Sequence, residues 1–248
     1  MERKVEENLR GVMDSNLKDS SSIGVYITIF IGLLTAVILL FLWKRGKINR
    51  RSICLVGLCD AGKTLIFTQL IYDKAIETFS SMKENIGFLS ISSKGSLKLI
   101  DVPGHERVRQ RFFDSHKSSA RGIVFVIDSN TLMKDIRDVA EYLYLILSDP
   151  AVHSNRPPVL VLCNKQDHTL AKGEKVIKTQ LEKEMNVLRT TKTNQLEAVS
   201  DDGQQPKYLG KEGKDFEFED LKMPVVFKPC SAQDGNIDEL KNWLHSVA

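Results

Sequence analysis

The sequence predicts an α/β fold: a six-stranded, mostly parallel sheet with helices on both faces, preceded by one transmembrane helix. Three observations carry that expectation. From residue 52 onward, short apolar runs alternate with helical patterns, as in a doubly wound sheet. Several of those runs are continuously apolar, as strands covered on both faces are. Upstream, "IGVYITIFIGLLTAVILLFLW" at 23–43 holds 21 residues without a charge.

The elements follow in chain order. Residues 1–22 mix four basic and five acidic side chains and read as a short N-terminus. The segment 23–43 reaches about 31 Å as a helix, enough to span a hydrocarbon core of ~30 Å. A signal peptide has a shorter apolar run, a basic start and a small-residue cleavage site, whereas this run follows a mixed lead and exits through "FLWKR". "KRGKINRR" at 44–51 carries five basic residues and no acid, so it should stay cytosolic and leave residues 1–22 on the far side. Eight residues reach at most ~28 Å, so this linker holds the cytosolic domain, 52–248, close to the headgroups.

The net charge of +3 leaves about −1 for 52–248 once the terminal segment and the linker are subtracted. The basicity is therefore one juxtamembrane cluster, and no nucleic-acid-binding face is expected. Strands are predicted at 52–57, 87–92, 96–101, 122–128, 159–164 and 225–229, and helices at 63–71, 132–147, 171–188 and 237–245. The tract 190–222, rich in Gly, Asp, Gln and Lys, reads as a long surface loop with "FEFE" docking back onto the fold. Cys54, Cys59, Cys163 and Cys230 form no CxxC pair, and the histidines show no ligand spacing. Neither a disulfide framework nor a zinc site is expected.

Four clusters carry chemistry. "GLCDAGKT" at 57–64 matches G-x-x-x-x-G-K-[ST] between a strand and a helix, the context in which that motif cradles phosphates. Backbone N–H groups of Gly57, Leu58, Cys59, Asp60, Ala61 and Gly62 would face anionic oxygens, Lys63 would meet the outer phosphates, and the Thr64 hydroxyl would ligate Mg²⁺. "DVPGHE" at 101–106 ends a strand; Asp101 would hold Mg²⁺, and the Gly104 amide would sense a γ-phosphate. "NKQD" at 164–167 selects the base. The Asp167 carboxylate can accept two guanine N–H groups where adenine offers no such pair. Asn164 would tie the loop to the phosphate side, and the Lys165 stem would cover the purine. "CSA" at 230–232 places Ser231 and Ala232 after the last strand, with the Ala232 amide expected on the guanine O6. Each cluster sits at the carboxyl end of a strand, where such sheets bind ligands, so the fold is read as that of a P-loop GTPase binding GTP and Mg²⁺.

With "GLCDAGKT", "DVPGHE", "SSARGIVFVIDS", "LCNKQD", "LGKEGKDFEFEDL" and "CSA", the chain resembles the beta-subunit family of the signal recognition particle receptor, Arf/Ras-like GTPases with an N-terminal membrane span. The resemblance covers nearly all of 23–248. It implies residence in the endoplasmic reticulum membrane with residues 1–22 lumenal. It also implies a heterodimer with the receptor alpha subunit, which receives ribosome-bound signal recognition particle, and thus the ribosome and translocon nearby.

Two departures bear on catalysis. His105 stands where Ras-like hydrolases place a glutamine that orients water; Cys59 and Asp60 replace loop glycines, and a side chain at 59 crowds the γ-phosphate. Slow turnover and a long-lived GTP-bound form are therefore expected. Thr78, Ser80 and Ser81 are candidates for the switch I Mg²⁺ ligand, since Asn85 occupies the place of the Arf-like threonine before "IGF"; Ser81 is the choice. Two further readings stay open: a constitutively GTP-loaded scaffold without a hydrolytic cycle, and a membrane-anchored Arf-like trafficking GTPase.

Overall fold

The computed structural model describes residues 30–39, 50–78, 81–91, 95–199 and 209–248. The chain divides into two units, 1–49 and 50–248. In the first, residues 30–39 are helical. Residues 1–22, much of the expected span and most of the basic linker lie outside the described residues. Among the described residues, no helix is long and apolar enough to cross a membrane.

In the second unit, strands and helices alternate. The elements are β1 (Ser52–Val56), α1 (Lys63–Tyr72), β2 (Asn85–Ile91), β3 (Gly95–Asp101), α2 (Glu106–His116) and β4 (Ala120–Asp128). There follow α3 (Leu132–Ser148), α4 (Pro150–Asn155), β5 (Val159–Asn164), α5 (Glu174–Val199), β6 (Val225–Pro229) and α6 (Asp238–Val247). The six strands form one sheet in the order β2-β3-β1-β4-β5-β6. All neighbours pair in parallel except β2 with β3.

The alternation of side chains along the central strands builds two cores. Cys54, Val56, Ile123 and Phe125 face one layer with Phe113 of α2, Leu143 and Ile146 of α3, and Ile177, Leu181 and Met185 of α5. Ile53, Leu55, Val124 and Val126 face the other with Ile66 and Phe67 of α1 and Leu240 and Leu244 of α6. Among the described residues, both cores and every strand lie within 50–248. That unit therefore holds all the apolar burial needed to fold by itself.

Two helices escape the periodicity. In α2 the one buried side chain is Phe113; the helix starts because the His105 ring accepts the Arg107 N–H at 3.3 Å and Glu106 occupies the first turn. The short α4 begins at Pro150, with the Asp149 carboxylate accepting from Ala151 N at 2.8 Å and Val152 N at 3.3 Å.

The expected loop at 190–222 is corrected in its first third. α5 runs on to Val199, because no Gly or Pro interrupts the sequence before Gly203. At 209–222 the chain lies on the core. Leu209, Phe216 and Phe218 are buried, and Phe218 packs edge-on against Phe216 at 5.1 Å and Phe227 at 5.0 Å. Arg189, itself buried, donates to the carbonyls of Lys211 and Lys214 and pins this strap to α5. Phe218→Ala is expected to cost about 3–5 kcal/mol, read as a lowered urea midpoint at unchanged slope.

Candidate functional site

The carboxyl ends of β1, β3, β4, β5 and β6 converge on two cavities of about 270 and 370 Å³. The first is lined by Cys59, Asp60, Gly62, Lys63 and Thr64, with Ser81, Asp101, Gly104 and Lys165 opposite. The second is lined by Asn164, Lys165, Asp167, His168 and Ala232. Gly62, Leu65 and Lys165 border both.

Loop 57–62 bends sharply between β1 and α1. Gly62 adopts φ +93° at the N-cap of α1, and a Cβ there would collide with Asn164 Nδ2. Gly62→Ala is therefore expected to cost about 1–3 kcal/mol from backbone strain alone, measured by chemical denaturation, and to disturb both cavities at once. Gly104 approaches the same loop from the β3–α2 connection; a Cβ on it would stand 2.5 Å from Cys59 N. This is the close approach expected of a glycine that senses the loop's contents.

Lys63 is buried, and its ammonium donates to the Leu58 carbonyl at 2.6 Å. Burial pulls its pKa below the ordinary lysine value, against the opposing pull of Asp101, Cys59 and Asp60. The Thr64 hydroxyl donates to Asp101 Oδ2 at 2.9 Å and lies 3.5 Å from Ser81 Oγ. Asn85 Nδ2 donates to the same Oδ2 at 2.9 Å. Asp101 Oδ1, equally buried, has no hydrogen-bond partner among the described residues. Burial raises the Asp101 pKa despite those two donors and Lys63. Two hydroxyls and an under-satisfied carboxylate make an all-oxygen set of the kind hard cations take. Among the described residues, no cluster of His, Cys, Asp and Glu offers a softer site.

At the second cavity, Asn164 is a buried connector. Its Nδ2 donates to the Ala61 carbonyl at 2.8 Å, and its Oδ1 accepts the Ala232 N–H at 3.0 Å and the Cys230 thiol at 3.3 Å. The Ala232 amide, expected on a guanine O6, lies at the edge of this cavity and here donates to the buried Asn164 Oδ1. The Ser231 hydroxyl donates to Asp167 Oδ1 at 2.7 Å and holds the carboxylate below its usual pKa. Lys165, at φ +65°, extends its stem between the cavities and anchors Nζ on Asp128 Oδ2 at 2.7 Å.

The chain thus brings together Cys59, Asp60, Gly62, Lys63, Thr64, Ser81, Asp101 and Gly104 in one cavity and Asn164, Lys165, Asp167 and Ala232 in the next, with Ser231 behind Asp167. Gly57, Leu58 and Ala61 shape the loop between them. His105 stands apart: its exposed ring caps α2 rather than lining the cavity. Sequence reasoning passed over Asn85 as a partner of Asp101. It also passed over Asp128, which ties Lys165 and accepts the Asn130 N–H at 2.9 Å. The signal for Asp128 is its position as the last residue of β4.

Comparison with known proteins adds an independent line. The family model "Signal recognition particle receptor beta subunit" matches residues 48–225. The rat signal recognition particle receptor subunit beta is 40% identical over 240 residues, covering 93% of this chain and 89% of its own. The solved mammalian SRP receptor superposes with a TM-score of 0.72 at 42% identity, over 80% of this chain and all of that one. The SRb-GTP/SRX complex from Chaetomium thermophilum superposes with a TM-score of 0.63 at 20% identity, over 79% of this chain and 97% of that one, a likeness of fold.

Proposed function

The chain belongs to the signal recognition particle receptor beta subunit family, and on that premise we propose that it binds GTP with Mg²⁺ and tethers the receptor alpha subunit to the endoplasmic reticulum membrane. A single N-terminal span at 23–43 would anchor it, with 1–22 lumenal and 52–248 cytosolic. The observation that carries the nucleotide reading is the pair of adjoining cavities joined by Asn164 and Lys165. One is built of loop amides, Lys63, Thr64 and Asp101; the other ends on the ionised Asp167. The solved complex whose name includes GTP shares this fold.

Each residue has a task. The amides of 58–62 and the Lys63 ammonium bind phosphate oxygens. Thr64, Asp101 and Ser81 fit a magnesium ion, which when bound neutralises phosphate charge. The Lys165 stem covers the purine, and Asp167 accepts its N1–H and amine. Gly104, beside Cys59, reports whether a third phosphate fills the loop and sets the switch segments 78–90 and 104–115, which form the partner-binding face.

Slow hydrolysis follows from the crowding at Cys59 and from a His105 ring turned onto α2. An Arf-like trafficking role leaves the docked strap at 209–222 unexplained. The test is the nucleotide that co-purifies with residues 50–248, alone and with the alpha subunit. GTP surviving purification and Thr64→Ala abolishing partner capture are the expected results; an empty or adenosine-loaded protein would overturn the reading.

A further inference from the structure

The two ends of the sheet differ in charge. The carboxyl ends, around the cavities, mix acids with cations: Asp60, Asp101 and Asp167 stand with Lys63 and with Lys165, itself paired to Asp128. The amino ends present cations, and the strand registers place them on one rim. Arg50 and Arg51 precede Ser52, which pairs with Lys98 on one side and Ala120, next to Arg121, on the other. Arg156 sits just ahead of β5.

The rim is anchored where the chain enters the fold. Arg50 donates to the Asn155 carbonyl at 3.1 Å and to its Oδ1 at 2.5 Å. Arg121 Nε donates to the Val247 carbonyl. Acidic groups nearby among the described residues are Asp114 and Asp149, both ion-paired with Lys117 at 2.7 and 2.6 Å, and Glu84, held by His116 at 2.5 Å. Arg51 and Arg156 are exposed and Lys98 half-exposed.

We propose that this rim is a docking surface for anionic lipid headgroups, so that the domain lies with the amino ends of its strands on the bilayer and its nucleotide cavities facing away. Three arguments converge on that occupant. The rim adjoins residue 50, directly after the basic segment 44–49. Its charge complements an acidic leaflet, which favours this face over the mixed-charge carboxyl pole. Phe88, exposed on β2 and paired across the ladder with Lys98, places an aromatic ring beside the cations, as at a membrane interface. The inference rests on the membrane-anchored reading above and adds to it a defined face.

The test uses the self-contained unit 50–248 in flotation with phosphatidylcholine vesicles, with and without added phosphatidylserine. Binding is expected to the phosphatidylserine vesicles alone, weakening as salt rises. Each basic residue contributes roughly fivefold to such partitioning, so R51E/K98E/R156E should reduce it by at least about a hundredfold. R51Q/K98Q/R156Q should fall between, and both variants should keep the parent's thermal midpoint and GTP affinity. Equal binding to neutral vesicles, unchanged binding by the charge-reversed variant, or retention on ribosomal RNA without retention on vesicles would each overturn the proposal. Resistance of the full chain to alkaline carbonate extraction tests the anchor separately, so loss of either reading is seen independently of the other.

Discussion

Replacing Asp167 by asparagine is expected to lower GTP affinity by about 10³–10⁴-fold, roughly 4–5.5 kcal/mol, and to create affinity for xanthosine triphosphate. Guanine presents two adjacent donors, N1–H and its amine, and only an ionised carboxylate accepts both without offering a donor in return. Asp167 is held ready for this. Ser231 occupies Oδ1 at 2.7 Å and keeps the group ionised, while His168 Nε2 stays 3.5 Å from Oδ2, too far to compete. An asparagine turns one acceptor into a donor, which meets the guanine amine head-on. Xanthine, carrying a carbonyl there, accepts that donor. Titration calorimetry of parent and variant with the two nucleotides measures the exchange. GTP affinity within tenfold of the parent would place the base elsewhere.

Asp167 also marks what a sequence can convey. The four motif clusters lie at strand ends, and strands buried on both faces announce themselves as apolar runs. The sheet and the convergence of loop 57–64, Asp101, Asn164 and Asp167 were therefore legible before any coordinates. What escaped has a common cause. α2 buries only Phe113 and is held by a cap and its charges, so it carries no apolar period. After Leu188 the sequence of α5 turns polar but meets no breaker, so composition alone suggested a loop. Inside the site, the hydrogen bonds that orient each ligand-facing group are tertiary. The Ala232 amide turns onto Asn164, Asn85 joins Thr64 on Asp101, and Lys165 reaches back to Asp128 across residues far apart in sequence. The His105 ring makes the same point in reverse. Its motif position suggested a hydrolytic role, while its local environment, a helix start with an unsatisfied N–H, turns it outward.

Asp101→Asn is expected to separate folding from nucleotide capture. In the metal-free protein the buried carboxylate sits above its ordinary pKa, with Oδ1 unpartnered. The native state then holds its proton more tightly than the unfolded chain. Its contribution to stability is full below the unfolded pKa and is lost as pH rises through the raised one. Asparagine keeps a carbonyl oxygen to accept from Thr64 and Asn85 and removes the charge. In chelator at neutral pH the variant should therefore melt no lower than the parent. A gain on the order of 1 kcal/mol, roughly 2–4 °C for a domain of this size, follows from removing the buried charge, reduced by the amide group that then fills the unpartnered position. The variant's melting temperature should also lose the downward slope that this carboxylate imposes as pH rises from acid toward neutrality. With saturating Mg²⁺ and GTP the order inverts. Ligand at about a thousand times its dissociation constant stabilises the parent by about 4 kcal/mol, whereas the variant, lacking the one carboxylate among Thr64, Ser81 and Asp101, should gain only a small part of that. Differential scanning calorimetry in the two conditions reads both signs. A variant that melts well below the parent in chelator would show that Asp101 serves packing. One that keeps the full magnesium-dependent shift would show that the cation is held without it.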